Sequence, residues 1–119
     1  MKASEKLQTA KEILEDQLKL VIQDLTFNRN LERLRITLKE GTIIFIQYNN
    51  YNEYSYSVIF SNSELDRIRF DNYDKSWDVN SKPNHYHPRK EKNGKNSPMI
   101  GNPKKDMLLL SKMIKLGKF

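Results

Sequence analysis

The sequence predicts an α+β fold, in which two helices cover one face of an antiparallel sheet. Three observations favour this class. An apolar stripe at helical spacing lies near the N terminus, four short segments with strand character follow between residues 31 and 71, and a second apolar helical pattern lies near the C terminus. With 119 residues, the chain has the size of one ordinary domain, which we assign to residues 1–119.

The first element is predicted to be one long amphipathic helix within residues 1–27, with its apolar stripe over 3–25. Apolar residues recur in this stripe at spacings of three, four and seven, which is typical of one helix face. They are Leu7, Leu14, Leu18, Val21, Ile22 and Leu25. Ser4 is a candidate N-cap, and neither Gly nor Pro interrupts the pattern.

Residues 31–71 are predicted to form a four-stranded antiparallel meander. Segments 31–38 and 65–71 alternate between apolar and polar residues, whereas 42–48 and 54–60 are rich in β-branched and aromatic residues. The connections between them hold three to five residues, and such short loops join strands that are neighbours in the sheet.

The fourth predicted strand places apolar and basic side chains on opposite faces. Ile68 and Phe70 should point inward, and Arg67 and Arg69 outward. Asp71 ends this strand, where its carboxylate is suited to orient an imidazole from the following loop. Arg33 and Arg35 point outward from the first strand, so the arginines form a basic stripe if the two outward faces adjoin.

Residues 72–104 are predicted to be an irregular basic segment, and residues 105–117 a short final helix. The segment contains all four prolines and both histidines, and it shows no hydrophobic period. An irregular stretch of this length is uncommon inside a small domain, and it is usually functional or disordered.

Charge is distributed unevenly along the chain. Residues 82–119 hold 10 Lys and Arg against 2 acidic residues, whereas residues 1–81 hold 11 against 13. This asymmetry predicts a polyanionic partner, of which nucleic acid is the commonest. A solvated basic tail is the alternative. A membrane surface fits less well, because no apolar helix face accompanies these cations.

The composition excludes several classes of protein. The chain has no cysteine, which excludes a disulfide framework, a thiol nucleophile and any cysteine-based metal site. No apolar run approaches the ~20 residues of a spanning helix, and the first 25 residues are charged throughout. We therefore expect a cytoplasmic protein with no membrane partner and no cofactor.

His85 and His87 are the residues best suited to chemistry. In extended backbone, residues i and i+2 project to the same side, so both imidazoles can face one target. Two histidines can share acid–base work on a phosphodiester, one taking the proton of the ribose 2′-hydroxyl and the other protonating the leaving oxygen. Two alternatives stay open. The histidines are surface residues, or they are metal ligands with Asp71, Asp74 or Asp78 completing the site.

Aromatic and basic residues are interleaved, which is the composition by which proteins hold single-stranded RNA. The candidate nucleic-acid contacts are Arg67, Arg69, Arg89, Lys90, Lys92, Lys95 and Tyr86. Tyrosines within strands also serve simple sheet packing, and that alternative stays open as well.

Read in order, these motifs resemble the TumE family of small prokaryotic toxins. The resemblance covers roughly residues 30–90. It rests on the Leu-Arg-Ile-Thr-Leu strand, the Tyr-Ser-Tyr strand at 54–56, Arg-Phe-Asp-Asn at 69–72 and Pro-Asn-His-Tyr-His at 83–87. Asn84 stands where that family has the first histidine of its later cluster, and residues 73–76 lack an earlier histidine pair.

The resemblance implies a toxin that acts on RNA or translation and is neutralised by a separately encoded antitoxin. Our first hypothesis is RNA binding with metal-independent cleavage, in which His85 and His87 are the acid–base pair, Asp71 orients them, and Arg69 and Arg89 contact phosphate. The alternatives are a non-catalytic binding module and an inactive remnant that serves as an interaction protein. The sequence leaves open whether the chain forms a homo-oligomer.

Overall fold

A computed structural model describes residues 1–73 and 79–119, and it has the predicted α+β class. The elements in chain order are α1 Ala3–Gln17, β1 Ile22–Asn28, β2 Arg33–Leu38, β3 Ile43–Tyr48, β4 Tyr54–Ile59, β5 Arg67–Asp71, β6 His85–His87, β7 Lys95–Asn96 and α2 Pro103–Leu116. The strands form one sheet in sequence order, and every neighbouring pair is antiparallel. The sheet therefore has seven strands among the described residues, where the sequence predicted four.

The first helix is shorter than predicted, because its last two turns are a strand instead. α1 ends at Gln17, and Ile22–Asn28 pairs with β2 as an edge strand, with a register shift between Ile22 and Asp24. β-branched and aromatic residues at 21–27 favour a strand, and pairing of this segment covers the edge of β2, which a helix would leave unpaired. The turn between β1 and β2 is fixed by Asn28, whose side-chain oxygen accepts from the Leu31 N–H at 3.1 Å.

The basic segment contributes two strands and is therefore not wholly irregular. β6 pairs with β5 through Arg69↔His87, Phe70↔Tyr86 and Asp71↔His85, and β7 pairs with β6. Three residues are too few to show a hydrophobic period, so no local pattern marks β6 as a strand. Its position is decided by β5, whose free edge supplies the pairing partners.

The hydrophobic core lies between the sheet and the two helices. Leu7 and Leu14 of α1 are buried against it, as are Met107 and Leu110 of α2. Strand residues alternate as predicted: Ile68 and Phe70 are fully buried, whereas Arg67 and Arg69 are exposed on the other side. We call the helix-covered side the inner face of the sheet and the opposite side its outer face.

Polar contacts attach α2 to the inner face. Asn102 caps the helix by accepting from the N–H groups of Lys104 and Lys105. Asp106, one turn later, is buried and accepts from the Tyr56 hydroxyl at 2.7 Å and from the Gly101 N–H at 2.7 Å. Burial raises the pKa of Asp106, although these hydrogen bonds oppose the shift. This carboxylate joins helix, loop and sheet.

None of the described helices is long and apolar enough to cross a membrane.

Candidate active site on the outer face of the sheet

The predicted site residues meet on the outer face, at neighbouring positions of β5 and β6. The strand register places Arg69 opposite His87 and Asp71 opposite His85. Because side chains alternate along a strand, all four project to the same face. The sequence prediction that both imidazoles face one side is confirmed. Their ring centroids are 4.9 Å apart, and the ring planes are nearly perpendicular.

Asp71 and His85 form a buried pair at the base of the site. Each side chain is only 1% exposed, and His85 Nε2 lies 2.6 Å from Asp71 Oδ1. The other ring nitrogen, Nδ1, lies 3.0 Å from the carbonyl oxygen of Pro83. Both nitrogens of His85 therefore face oxygen acceptors, and the ring is fixed in orientation from two sides.

Arg69 connects this buried pair to the second histidine. Its Nε donates to Asp71 Oδ2, and its Nη2 lies 3.3 Å from His87 Nε2. Asp71 Oδ2 is itself 3.9 Å from His87 Nε2. The half-exposed guanidinium is thus held by a buried carboxylate and placed against the imidazole that lies nearer to solvent.

The environment of His87 favours its neutral form. Burial lowers the pKa of His87, and the neighbouring guanidinium of Arg69 and imidazole of His85 lower it further. The carboxylate of Asp71 and a backbone hydrogen bond at Lys92 act in the opposite direction without cancelling the shift. The lowered pKa of His87 therefore favours the uncharged imidazole, which is the form that accepts a proton.

A groove of about 580 Å³ runs over β4 from β3 to β6. Its charged lining is mostly basic and includes Arg33, Arg67, Arg69, Lys92 and the single acid Glu91, with His87 at one end. Three of the four arginines of the predicted stripe therefore line one groove, although β3 and β4 lie between Arg33 and the pair Arg67 and Arg69, and Arg35 does not line it. Such a concentration of cations attracts phosphate groups.

Two of the predicted nucleic-acid contacts lie elsewhere. Tyr86 is on the inner side, where its ring stacks on Phe70 with the centroids 4.7 Å apart. Arg89 donates to Asp66 and lies over the ring of Phe60, 4.2 Å from its centroid. Both side chains are therefore turned away from the histidines.

The two remaining lysines of the prediction are exposed, but they do not line the groove. Lys95 is 3.4 Å from Glu91, and Lys90 follows Arg89 with a positive φ of 66°. Of the predicted basic contacts, only Arg67, Arg69 and Lys92 line the groove with His87.

The metal alternative also has a geometric basis. One ligand atom from each of Asp71, His85 and His87 lies within 4.8 Å of the others, and two histidines with one carboxylate can hold a divalent cation. Arg69 bonds to Asp71 and touches His87, so a metal ion would have to displace this guanidinium. The carboxylates of Asp74 and Asp78, which the sequence offered as further ligands, lie outside the described residues.

Several groove residues were not among the sequence candidates, and three of them bear on ligand binding. Phe45, Ser55 and Ser57 line the groove floor and its far wall. The signal that could have found the serines is the alternation Tyr-Ser-Tyr-Ser in β4, in which the tyrosines point inward and the small polar residues outward.

Asn84 occupies the position at which the resembled family has a further histidine, and it lies against the inner side. Its Oδ1 accepts from the hydroxyl of Tyr54 at 2.8 Å. Tyr54 is a buried inner-face residue that also donates to the carbonyl of Met99. A histidine at position 84 would lie on the inner side as well, so its replacement by Asn84 removes no imidazole from the cluster of His85 and His87.

Fold and site together define a small α+β protein with a histidine–carboxylate cluster beside a basic groove. Comparison with protein families assigns the class, which is the toxin component of a toxin–antitoxin system. The family model described as Toxin TumE matches residues 6–114, and the chain belongs to this family. The resemblance seen in the sequence is thus confirmed, and membership implies a cognate antitoxin. Neither a curated protein nor a solved structure matches the chain significantly.

Proposed function

We propose that this toxin binds RNA in the outer-face groove and cleaves it without a metal ion, with His87 as the general base. The observation that carries this proposal is the imidazole of His87 held against the guanidinium of Arg69 at the end of a basic groove, where burial and Arg69 lower its pKa. A general base must be unprotonated at the working pH and must lie beside groups that bind the reacting phosphate. His87 with Arg69 meets both conditions.

The reaction begins when a phosphate enters the groove and takes the N–H groups of Arg69. At rest one of these groups faces His87 Nε2 at 3.3 Å. A phosphate is the stronger acceptor, so it draws the guanidinium away and leaves the Nε2 lone pair for the ribose 2′-hydroxyl. The hydroxyl proton passes to Nε2, its oxygen bonds to phosphorus, and the bond to the 5′-oxygen breaks.

The products balance as a 2′,3′-cyclic phosphate and a 5′-hydroxyl. The leaving oxygen takes a proton from water, and the imidazolium of His87 returns its own proton to solvent. Arg69 and Arg67 stabilise the charge that builds on the phosphorus oxygens. The chemistry therefore needs one imidazole in contact with substrate, rather than the two that the sequence suggested.

Asp71 and His85 act in this proposal as positioning residues. His85 is 1% exposed and has both ring nitrogens turned toward protein acceptors, so it does not touch a substrate in the groove. It fixes Asp71, which holds Arg69 through its Nε and so keeps the guanidinium at the end of the groove where the phosphate enters. A rigid second layer of this kind preserves the geometry on which proton transfer depends.

The experiment is a cleavage assay on single-stranded RNA with purified protein, alongside growth of cells that express it. We expect His87→Ala to lower the cleavage rate by roughly 10²–10⁴-fold, the usual contribution of one positioned proton-transfer group. Growth arrest should be relieved by the cognate antitoxin and by the same substitution. Cleavage should continue in the presence of EDTA. Activity that EDTA abolishes and zinc restores would assign the cluster to metal chemistry.

A second candidate function is RNA or partner binding without catalysis. The contact between Arg69 and the lone pair of His87 Nε2 favours it, because a base engaged in this way is not free to act until the guanidinium moves. The two functions separate in one variant. Binding alone would be supported if the His87→Ala variant stays toxic and binds RNA as tightly as wild type, and if neither the variant nor the wild type cleaves RNA above background.

A further inference from the structure

The floor and the far wall of the groove are formed by residues that the proposed cleavage step does not use. Phe45, Ser57, Arg69 and His87 occupy aligned positions on β3, β4, β5 and β6. Adjacent strands are separated by about 4.8 Å, so Phe45 lies about 14 Å from His87 across the sheet. The groove is therefore wide enough for a nucleotide laid across the strands beside the reacting phosphate.

Two serines create the depth of this groove. Ser55 and Ser57 are half-buried on the outer face of β4, between larger residues on both neighbouring strands. Ser55 pairs with Gln47 on one side and with Asp71 on the other. Because a serine side chain is short, the sheet is hollow above β4, and each hydroxyl offers a donor and an acceptor to a ligand.

The far wall offers a planar cationic surface. The Arg33 guanidinium lies over the ring of Phe45, 4.6 Å from its centroid. This cation–π contact holds the planar guanidinium beside the groove, which Arg33 and Phe45 both line. Unpaired bases stack on arginine planes as well as on aromatic rings, whereas the faces of paired bases in a helix are covered by their neighbours.

We propose that this part of the groove is a subsite for one unpaired nucleotide, in which the base stacks on Arg33 above Phe45 and the sugar lies over Ser55 and Ser57. The inference rests on the proposed function, and it names the substrate class as single-stranded RNA. The next phosphate then lies between Arg67, Arg69 and Lys92, beside His87. Charge complementarity between the backbone and these cations holds the strand against the sheet at this point.

The test measures dissociation constants of a fluorescent single-stranded RNA and of the same strand annealed to its complement. All proteins carry His87→Ala, so that the RNA stays intact. Arg33→Lys keeps the charge and removes the plane, and Ser57→Leu fills the hollow. We expect each to weaken single-strand binding by roughly five- to a hundredfold, the usual range for one stacked base. Lys112→Gln on the exposed side of α2 is the matched control and should leave binding unchanged.

The outcomes distinguish the subsite from the proposed function. If Arg33→Lys binds like the parent while Arg67→Gln weakens binding, the groove contacts phosphates alone and the subsite is refuted, although RNA action stands. Equal affinity for the single strand and the duplex would refute it too. If the parent protein fails to bind RNA at low salt, both proposals fall. Arg33 is half-exposed, so the Arg33→Lys variant should fold. This variant therefore tests the subsite even if the Ser57→Leu variant does not fold.

Discussion

At the scale of single residues, the site depends on Asp71. Its two carboxylate oxygens make different contacts, Oδ1 with the buried ring of His85 and Oδ2 with the guanidinium of Arg69. One side chain that is 1% exposed therefore supports both the buried layer of the site and the cation that faces the groove. The stability of β5 and β6 and the geometry at His87 are coupled through this carboxylate.

Substitution of Asp71 should therefore lower the stability of the folded protein. We expect Asp71→Asn to lower the free energy of unfolding by about 1–3 kcal/mol, the usual cost of leaving a buried donor without its acceptor. Urea denaturation followed by circular dichroism measures this. Asp24→Asn, the same change at an exposed carboxylate of β1, should shift it by less than about 0.5 kcal/mol. Equal effects of both substitutions would contradict the role of Asp71 as the buried support.

The protonation of His87 should set the pH dependence of cleavage. A general base must be neutral, so the rate should rise with pH as His87 loses its proton and then stay level. Because burial and Arg69 lower the pKa of His87, the midpoint should fall below the ordinary 6.5. Rate–pH profiles of kcat/KM report the value for the free enzyme.

The matched variant for this pH prediction is Arg69→Gln, followed by NMR titration of the His87 ring. Removal of the guanidinium takes away one of the charges that disfavour imidazolium, so the pKa of His87 should move upward. A wild-type midpoint above 6.5, or no movement in the variant, would count against this account of the site.

At the scale of elements, β6 decides whether the site exists. The strand has only three residues, and it is stable because it pairs with β5 and because Tyr86 stacks on Phe70 from the inner side. A loop at this position would leave His85 and His87 without fixed directions. The pairing gives them the alternation of a strand, which turns both imidazoles to the outer face while Tyr86 fills the inner one.

Hydrogen exchange should therefore resolve the basic segment into ordered and open parts. We expect the amides of β6 to exchange slowly, because they belong to the sheet, and those of the exposed residues 89–93 to exchange faster. Mass spectrometry on overlapping peptides distinguishes the two. The comparison within one protein is its own control. Fast exchange throughout residues 79–96 would mean that β6 does not form in the free protein.

At the scale of the whole molecule, the sheet separates two kinds of surface. The inner face is apolar and is covered by α1 and α2, whereas the outer face carries the arginines and the histidine cluster. The basic excess of residues 82–119 reaches this face mainly through Lys92, because Arg89 is turned toward Asp66 and the C-terminal helix packs on the other side. The groove draws its cations chiefly from β2 and β5.

Binding of RNA to this face should depend steeply on salt. The groove contains the cations Arg33, Arg67, Arg69 and Lys92, and each phosphate that they neutralise on a single strand contributes about −0.7 to the log–log slope. Fluorescence anisotropy over a salt series measures it. Arg67→Gln should make the slope less negative, and Lys112→Gln should leave it unchanged. A slope near zero would refute phosphate contact in the groove.

The sequence by itself determined the features that have a local period or a local composition. It predicted the α+β class, the inward position of Ile68 and Phe70, the outward arginines and the common side of His85 and His87, and the structure confirms each of these. These predictions hold because alternation along a strand and the spacing of an apolar stripe are properties of neighbouring residues.

Only the tertiary structure decided which segments pair across the chain. Residues 22–28 continue the apolar spacing of α1, yet they form β1, because β2 offers a ladder that a helix would leave unpaired. His85–His87 has no pattern of its own and becomes a strand on the edge of β5. That pairing buries His85 against Asp71 and places Arg69 beside His87. Contacts between residues far apart in sequence are set by the packing of the whole sheet, and no local pattern encodes them.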